Sequence, residues 1–134
     1  MMNNEIKSVL NLKKIVFDRI LFERLGFSSE EELKLKIETN VSQKKDTELY
    51  RVTLVLFGEK EGEYKFEVSI TGFFDFDTDE ELTQEFKSSL INQNTVAILM
   101  PYLRSEISLL TAQPGVDCVV LPPFNITELV KQED

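Results

Sequence analysis

The sequence predicts an α+β domain: a four-stranded antiparallel sheet with one face covered by a long kinked helix and a short C-terminal helix. Three observations carry this. The first half of the chain alternates apolar and polar residues with a period of two, and the second half switches to apolar spacings of three and four. The turns between the alternating runs are too short to hold a crossover helix, so neighbouring strands pair antiparallel and the sheet keeps a polar face. At 134 residues the chain fits a single domain spanning 1–134, and 42% hydrophobic residues suffice for a core.

Residues 15–25 read as the first strand through Ile15-Val16-Phe17 and Ile20-Leu21-Phe22, although Leu21, Arg24 and Leu25 also allow a helix. Leu33, Leu35, Ile37, Thr39 and Val41 then alternate with Lys34, Lys36, Glu38 and Asn40, which predicts a strand with one dry and one wet face. After a polar turn at 43–47, Tyr50, Val52, Leu54 and Leu56 form the next dry face, ending at Gly58. The loop Gly58-Glu59-Lys60-Glu61-Gly62 returns the chain into Tyr64, Phe66, Val68, Ile70, Gly72, Phe74 and Phe76, a hairpin partner. Strict alternation places Tyr64, Phe66, Phe74 and Phe76 in the core. It turns Val55, Phe57 and Phe73 to the polar face, leaving apolar surface there for a partner, unless a bulge at Gly72 rotates Phe73 inward.

The helical period begins after Asp77-Thr78-Asp79-Glu80-Glu81, which offers N-cap residues and negative charge for a first turn, with Leu82, Phe86 and Leu90 spaced four apart. Residues 96–110 follow Asn92-Gln93-Asn94, are mostly apolar, and carry Pro101, which predicts a kink or the start of a second half-helix. Val96, Leu99, Leu103 and Leu110 point one way and Ile98, Tyr102 and Leu109 another. One sheet cannot cover both stripes, so a second subunit is expected on the other. Pro114-Gly115 ends the helix, residues 116–124 form an extended connector, and Asn125-Ile126-Thr127-Glu128 caps a short final helix.

Composition excludes several functions. Net charge is −9, from 24 Asp and Glu against 15 Lys and Arg, which disfavours nucleic acid and anionic lipid. No apolar run is long enough for membrane insertion and the amino terminus lacks a signal-peptide pattern, so a cytoplasmic protein is expected. There is no His, and the single Cys118 sits beside Val119, Val120 and Leu121, where it reads as a small buried hydrophobe. Asp75-x-Asp77-x-Asp79 matches the opening of a calcium loop, but Glu80 stands where the loop needs Gly and Phe86 where it needs Glu. No phosphate-binding or nucleophile motif occurs. A protein that is not an enzyme and needs no cofactor is expected.

Three motifs resemble the SecB family of bacterial export chaperones. Leu99-Met100-Pro101-Tyr102-Leu103-Arg104-Ser105-Glu106-Ile107 looks like that family's long-helix signature, Leu121-Pro122-Pro123-Phe124-Asn125 like its connector, and Gly72-Phe73-Phe74 like the end of its fourth strand. The resemblance implies a SecB-like fold assembled as a homo-oligomer, a dimer of dimers, with Leu99, Pro101, Tyr102, Leu103, Arg104 and Ile107 on the oligomer helix. It implies an ATP-independent holdase for unfolded or newly made polypeptides, either for preprotein export or for protection of an antitoxin in a toxin–antitoxin system. The client groove would draw on Phe66, Phe74, Phe76, Leu121, Phe124, Ile126, Leu129 and Val130. Glu23 and Glu67 match positions where the family's acidic face docks the export motor SecA, but Arg19 and Lys65 stand beside them. The alternative is a nonchaperone adaptor or regulator on the same fold, marked by a closed, fully packed groove.

Overall fold

The computed structural model of the protein describes residues 10–76 and 82–121. Strands β1 (Leu10–Arg24), β2 (Leu33–Gln43), β3 (Leu49–Lys60) and β4 (Tyr64–Phe76) form one antiparallel sheet in the order β1-β4-β3-β2. A helical run follows: α1 (Gln84–Ser89), a π-helical segment (Leu90–Asn94) and α2 (Thr95–Thr111). The predicted α+β class is the observed one. The first strand is longer than its apolar core suggests, because β1 pairs with β4 from Leu10 to Arg24.

Alternation sets the layers. Tyr50, Val52, Leu54 and Leu56 of β3 and Tyr64, Phe66, Val68, Ile70, Phe74 and Phe76 of β4 are all buried on the helix side. Two turns depend on left-handed backbone: Gly62 at φ 83° closes the β3–β4 hairpin, and Asp46 at φ 61° turns β2 into β3. The β3–β4 register runs unbroken through Gly72, so Phe73 stays on the open face. The register shifts lie in β1, between Leu12 and Lys14 and between Phe17 and Arg19.

The helix settles on β4 at Gly72. A Cβ there would lie 2.7 Å from Phe74 Cε1 and 2.9 Å from Leu99 Cδ2, closer than van der Waals contact allows. Leu99, Leu103 and Ile107 consequently reach the sheet and are fully buried with Val96 and Met100 beside them. The helix spans β3 and β4 but not the sheet margins. Leu35 and Val41 of β2, expected to be dry, are therefore exposed, as are Leu12 and Ile20 of β1.

Three expectations change. The helix begins at Gln84 with Thr83 as its N-cap, Thr83 Oγ1 accepting from Phe86 N–H at 3.1 Å, while 77–81 lie outside the described residues. Residues 90–94 form a π-helical segment that keeps the chain helical into α2, and Pro101 sits inside α2 and does not start a second half-helix. Cys118 is exposed, because the connector turns it outward. The proposed final helix and Pro122-Pro123 also lie outside the described residues.

Replacing Gly72 by Ala should lower stability by about 1–3 kcal/mol, since neither the buried ring nor the buried Leu99 can yield freely. The check is a lower urea midpoint at unchanged slope.

Candidate polypeptide-binding surfaces

After α2 the chain doubles back. Pro114 and Gly115, the latter at φ 84°, turn the backbone, and residues 116–121 run alongside the helix. No strand ladder holds this connector; hydroxyls do. Val119 N–H donates to Thr111 Oγ1 at 2.8 Å, while that hydroxyl donates to Ile107 O at 2.8 Å. Ser108 Oγ donates to Val119 O at 3.1 Å, and Leu121 is buried.

Arg24 anchors the turn. Its guanidinium donates to the carbonyls of Gly26 (3.2 Å) and Gly115 (3.1 Å), lies 3.6 Å from the Glu63 carboxylate and stands 6.0 Å over the Tyr64 ring. Glu63 is only 8% exposed and meets Lys60 at 3.0 Å. A carboxylate buried that far is costly without counter-charge, and Arg24 and Lys60 supply it. The Glu63 carbonyl accepts from Leu25 and Gly26 N–H, so the end of β1, the β3–β4 hairpin and the connector meet at one cluster.

Between α2 and the connector lies an open groove of about 740 Å³, walled by Pro101, Ser105, Leu109 and Ala112 on the helix and by Val120 and Leu121 opposite. Leu109 is 70% and Val120 78% exposed, so the groove presents large apolar side chains to water. Of the residues expected to line a client groove, Phe66, Phe74 and Phe76 are buried in the core, with Phe66 stacked on Tyr64 and Phe76 edge-on to Tyr50, while Leu121, itself largely buried, lines the groove beside α2. Phe124, Ile126, Leu129 and Val130 lie outside the described residues. On the expected oligomer helix, Leu99, Leu103 and Ile107 are taken up by the chain's own sheet; Pro101 and Tyr102 are exposed and Arg104 half-buried.

The opposite face of the sheet is open. Across it Lys34, Glu59, Lys65 and Glu23 stand in one row, and Lys36, Phe57, Glu67 and Leu21 in the next. Glu23 pairs with Lys65 at 3.5 Å and Glu67 with Arg19 at 3.3 Å. The two carboxylates do come together, but each is matched by a cation, which leaves alternating charge where an acidic patch is expected. Phe57 and Phe73 are half-buried on this face. Asp75 is held by Asn11 (3.1 Å) and Lys13 (3.8 Å), and the rest of its calcium-like motif lies outside the described residues. Among the described residues no cluster of three metal-ligating side chains occurs.

Two clusters escaped the sequence reading. The Arg24–Glu63 anchor joins residues 39 positions apart, and no local pattern pairs them. The second is on the open face, where Thr71, 3% exposed, donates to Asp18 Oδ2 at 2.8 Å and shares a 2.8 Å hydrogen bond with Thr53. Desolvation pushes the Asp18 carboxyl up, but hydrogen bonds from Ser69 and Thr71 and the charge of Arg51 outweigh it and hold it below the usual carboxylate range. A buried Thr opposite another Thr in a predicted strand was the available signal.

Arg24→Ala should cost about 1–3 kcal/mol by leaving Glu63 short of a partner, and should raise amide exchange in 113–121 above that in β3. Asp18, with its depressed value, contributes stability above the ordinary carboxylate pKa and loses it as pH falls through its folded value. Thr71→Val should move the Asp18 midpoint upward in an NMR titration.

No protein-family profile matches the chain. An uncharacterized protein of Methanocaldococcus jannaschii, MJ0357, is 32% identical over 114 residues, covering 76% of this chain and 72% of that protein. Among solved structures, the chain is similar to the Mycobacterium tuberculosis SecB-like chaperone Rv1957, in complex with a ChAD peptide from the Rv1956 HigA1 antitoxin. The TM-score is 0.71 at 15% identity, covering 87% of this chain and 88% of that one. No helix among the described residues is long and apolar enough to cross a membrane. At 32% identity over that coverage the chain belongs to the family of the M. jannaschii protein, and its sheet with one long helix has the SecB-like fold.

Proposed function

We propose that the protein is an ATP-independent holdase that keeps an aggregation-prone polypeptide segment in solution, with an antitoxin-like client favoured over general export. The observation that carries this reading is the groove beside α2, where Leu109 and Val120 stand in water on a fold shared with a chaperone that holds an antitoxin peptide. Apolar side chains of an unfolded client would bury against them, and no catalytic group is needed. A homo-oligomer fits the reading, because Tyr102 stands exposed on α2, turned away from the sheet and outside the groove lining. The matched charges around Glu23 and Glu67 argue against SecA docking in the manner of an acidic face.

A second reading is favoured by a specific observation. Phe66, Phe74 and Phe76 are packed shut, as in an adaptor that kept the fold and lost the deep groove. Light scattering from an aggregating unfolded polypeptide, without nucleotide, separates the two. The holdase should suppress scattering at stoichiometric excess, and Leu109→Glu with Val120→Glu should raise the amount needed for half-suppression about tenfold. No suppression across several unrelated clients would leave the adaptor.

A further inference from the structure

Most cations of the described residues are matched by a carboxylate. Asp75 takes Lys13, Glu67 takes Arg19, Glu63 takes Arg24 and Lys60, Glu38 takes Lys36, Glu23 takes Lys65 and Glu48 takes Lys87. Six have no carboxylate within ion-pair distance among the described residues: Lys34 at the far end of β2, Arg104 on α2, Lys45 in the β2–β3 turn, and Arg51, Lys14 and Lys44, which gather at one end of the open sheet face. In a chain of net charge −9, with acids in excess, cations left unmatched in one place form a distinct surface.

The register builds the site. Ser42, Arg51, Phe73 and Lys14 stand side by side across β2, β3, β4 and β1. Strands lie about 4.8 Å apart, so Arg51 and Lys14 flank Phe73 roughly 10 Å from each other. Two adjoining hollows of about 420 and 370 Å³ share Arg51, Ser42 and Phe73 as walls, and Lys44 lines the second. Of the nearby carboxylates, Asp75 is held by Lys13 and Asn11, while Asp18, in the wall of the first hollow, accepts from the Thr71 hydroxyl and feels the charge of Arg51 without reaching ion-pair distance. A half-buried aromatic ring between two cations that form no ion pair is complementary to an apolar side chain between two carboxylates. The planar guanidinium of Arg51 can take one of those carboxylates in bidentate fashion.

We propose that this end of the open sheet face docks an acidic segment of a partner protein, an apolar residue packing on Phe73 while flanking carboxylates meet Arg51 and Lys14. The site lies on the opposite face of the sheet from the α2 groove, so it does not rest on the holdase reading and the two fail separately.

The test is fluorescence anisotropy of the full chain with a labelled synthetic peptide of repeated Glu–Phe–Glu, beside Lys–Phe–Lys and Glu–Ser–Glu counterparts. Saturable binding of the first alone is expected, weakened about tenfold or more by Arg51→Glu and also by Arg51→Gln. Circular dichroism verifies that both variants, changed at an exposed position, stay folded. Suppression of client aggregation should be unchanged in them. Equal binding of Lys–Phe–Lys, unaltered binding by both variants, or absence of saturable binding would overturn the proposal. So would displacement of the peptide by a single-stranded oligonucleotide or by phosphatidylglycerol vesicles at comparable concentration.

Discussion

Much of this molecule depends on the contact between α2 and β4 at Gly72, where a hydrogen atom occupies the place in which any other residue would drive a methyl group against Leu99 and Phe74. The close approach lets Leu99, Leu103 and Ile107 sink into the two central strands. Dense packing there is what a helix of this apolarity demands, since each fully buried Leu or Ile contributes about 1.5–3 kcal/mol relative to exposure. A helix seated so tightly over β3 and β4 cannot also cover β1 and β2. The exposed apolar positions at both sheet margins follow from the same contact that makes the centre dry.

The position of the connector follows in turn. With α2 held down, the hydroxyls of Ser108 and Thr111 are presented to the returning chain and capture Val119 by its carbonyl and its amide. Arg24 holds the preceding turn by the Gly115 carbonyl and ties it to the buried Glu63. Hydrogen bonds of this kind each add only about 0.5–1.5 kcal/mol, so the connector is fixed by several modest links and not by a ladder. The groove it bounds is polar along the stitched side and apolar at Leu109 and Val120, a combination that suits extended polypeptide more than a small molecule.

The two faces of the sheet therefore have different chemistries. The helix side is apolar and closed at its centre, so Phe66, Phe74 and Phe76 stabilise the fold. The open side sets cations against carboxylates in register, and such exposed pairs add little to stability, typically about 0.2–1 kcal/mol, while they decide which partners are repelled. Around Phe73 that matching lapses, with Arg51 and Lys14 on either side of the ring and neither within ion-pair distance of a carboxylate among the described residues.

Alternation along the chain determined the strands and the faces on which Phe57, Phe66 and Phe74 lie, and the short turns their antiparallel pairing, whereas the face of Phe73 was decided by the unbroken register at Gly72. The apolar spacing of the second half determined a long helix, and Leu99, Leu103 and Ile107 were legible as residues on it. The sequence could not determine how far the helix spreads across the sheet, and so did not show that Leu35 and Val41 are wet. Nor could it show that residues 90–94 form a π-helical segment, that Cys118 faces outward, or that Glu23 and Glu67 each meet a cation. Those outcomes were decided by tertiary structure. Local periodicity reports which way a side chain points, whereas burial and ion pairing depend on what residues distant in the chain place in front of it.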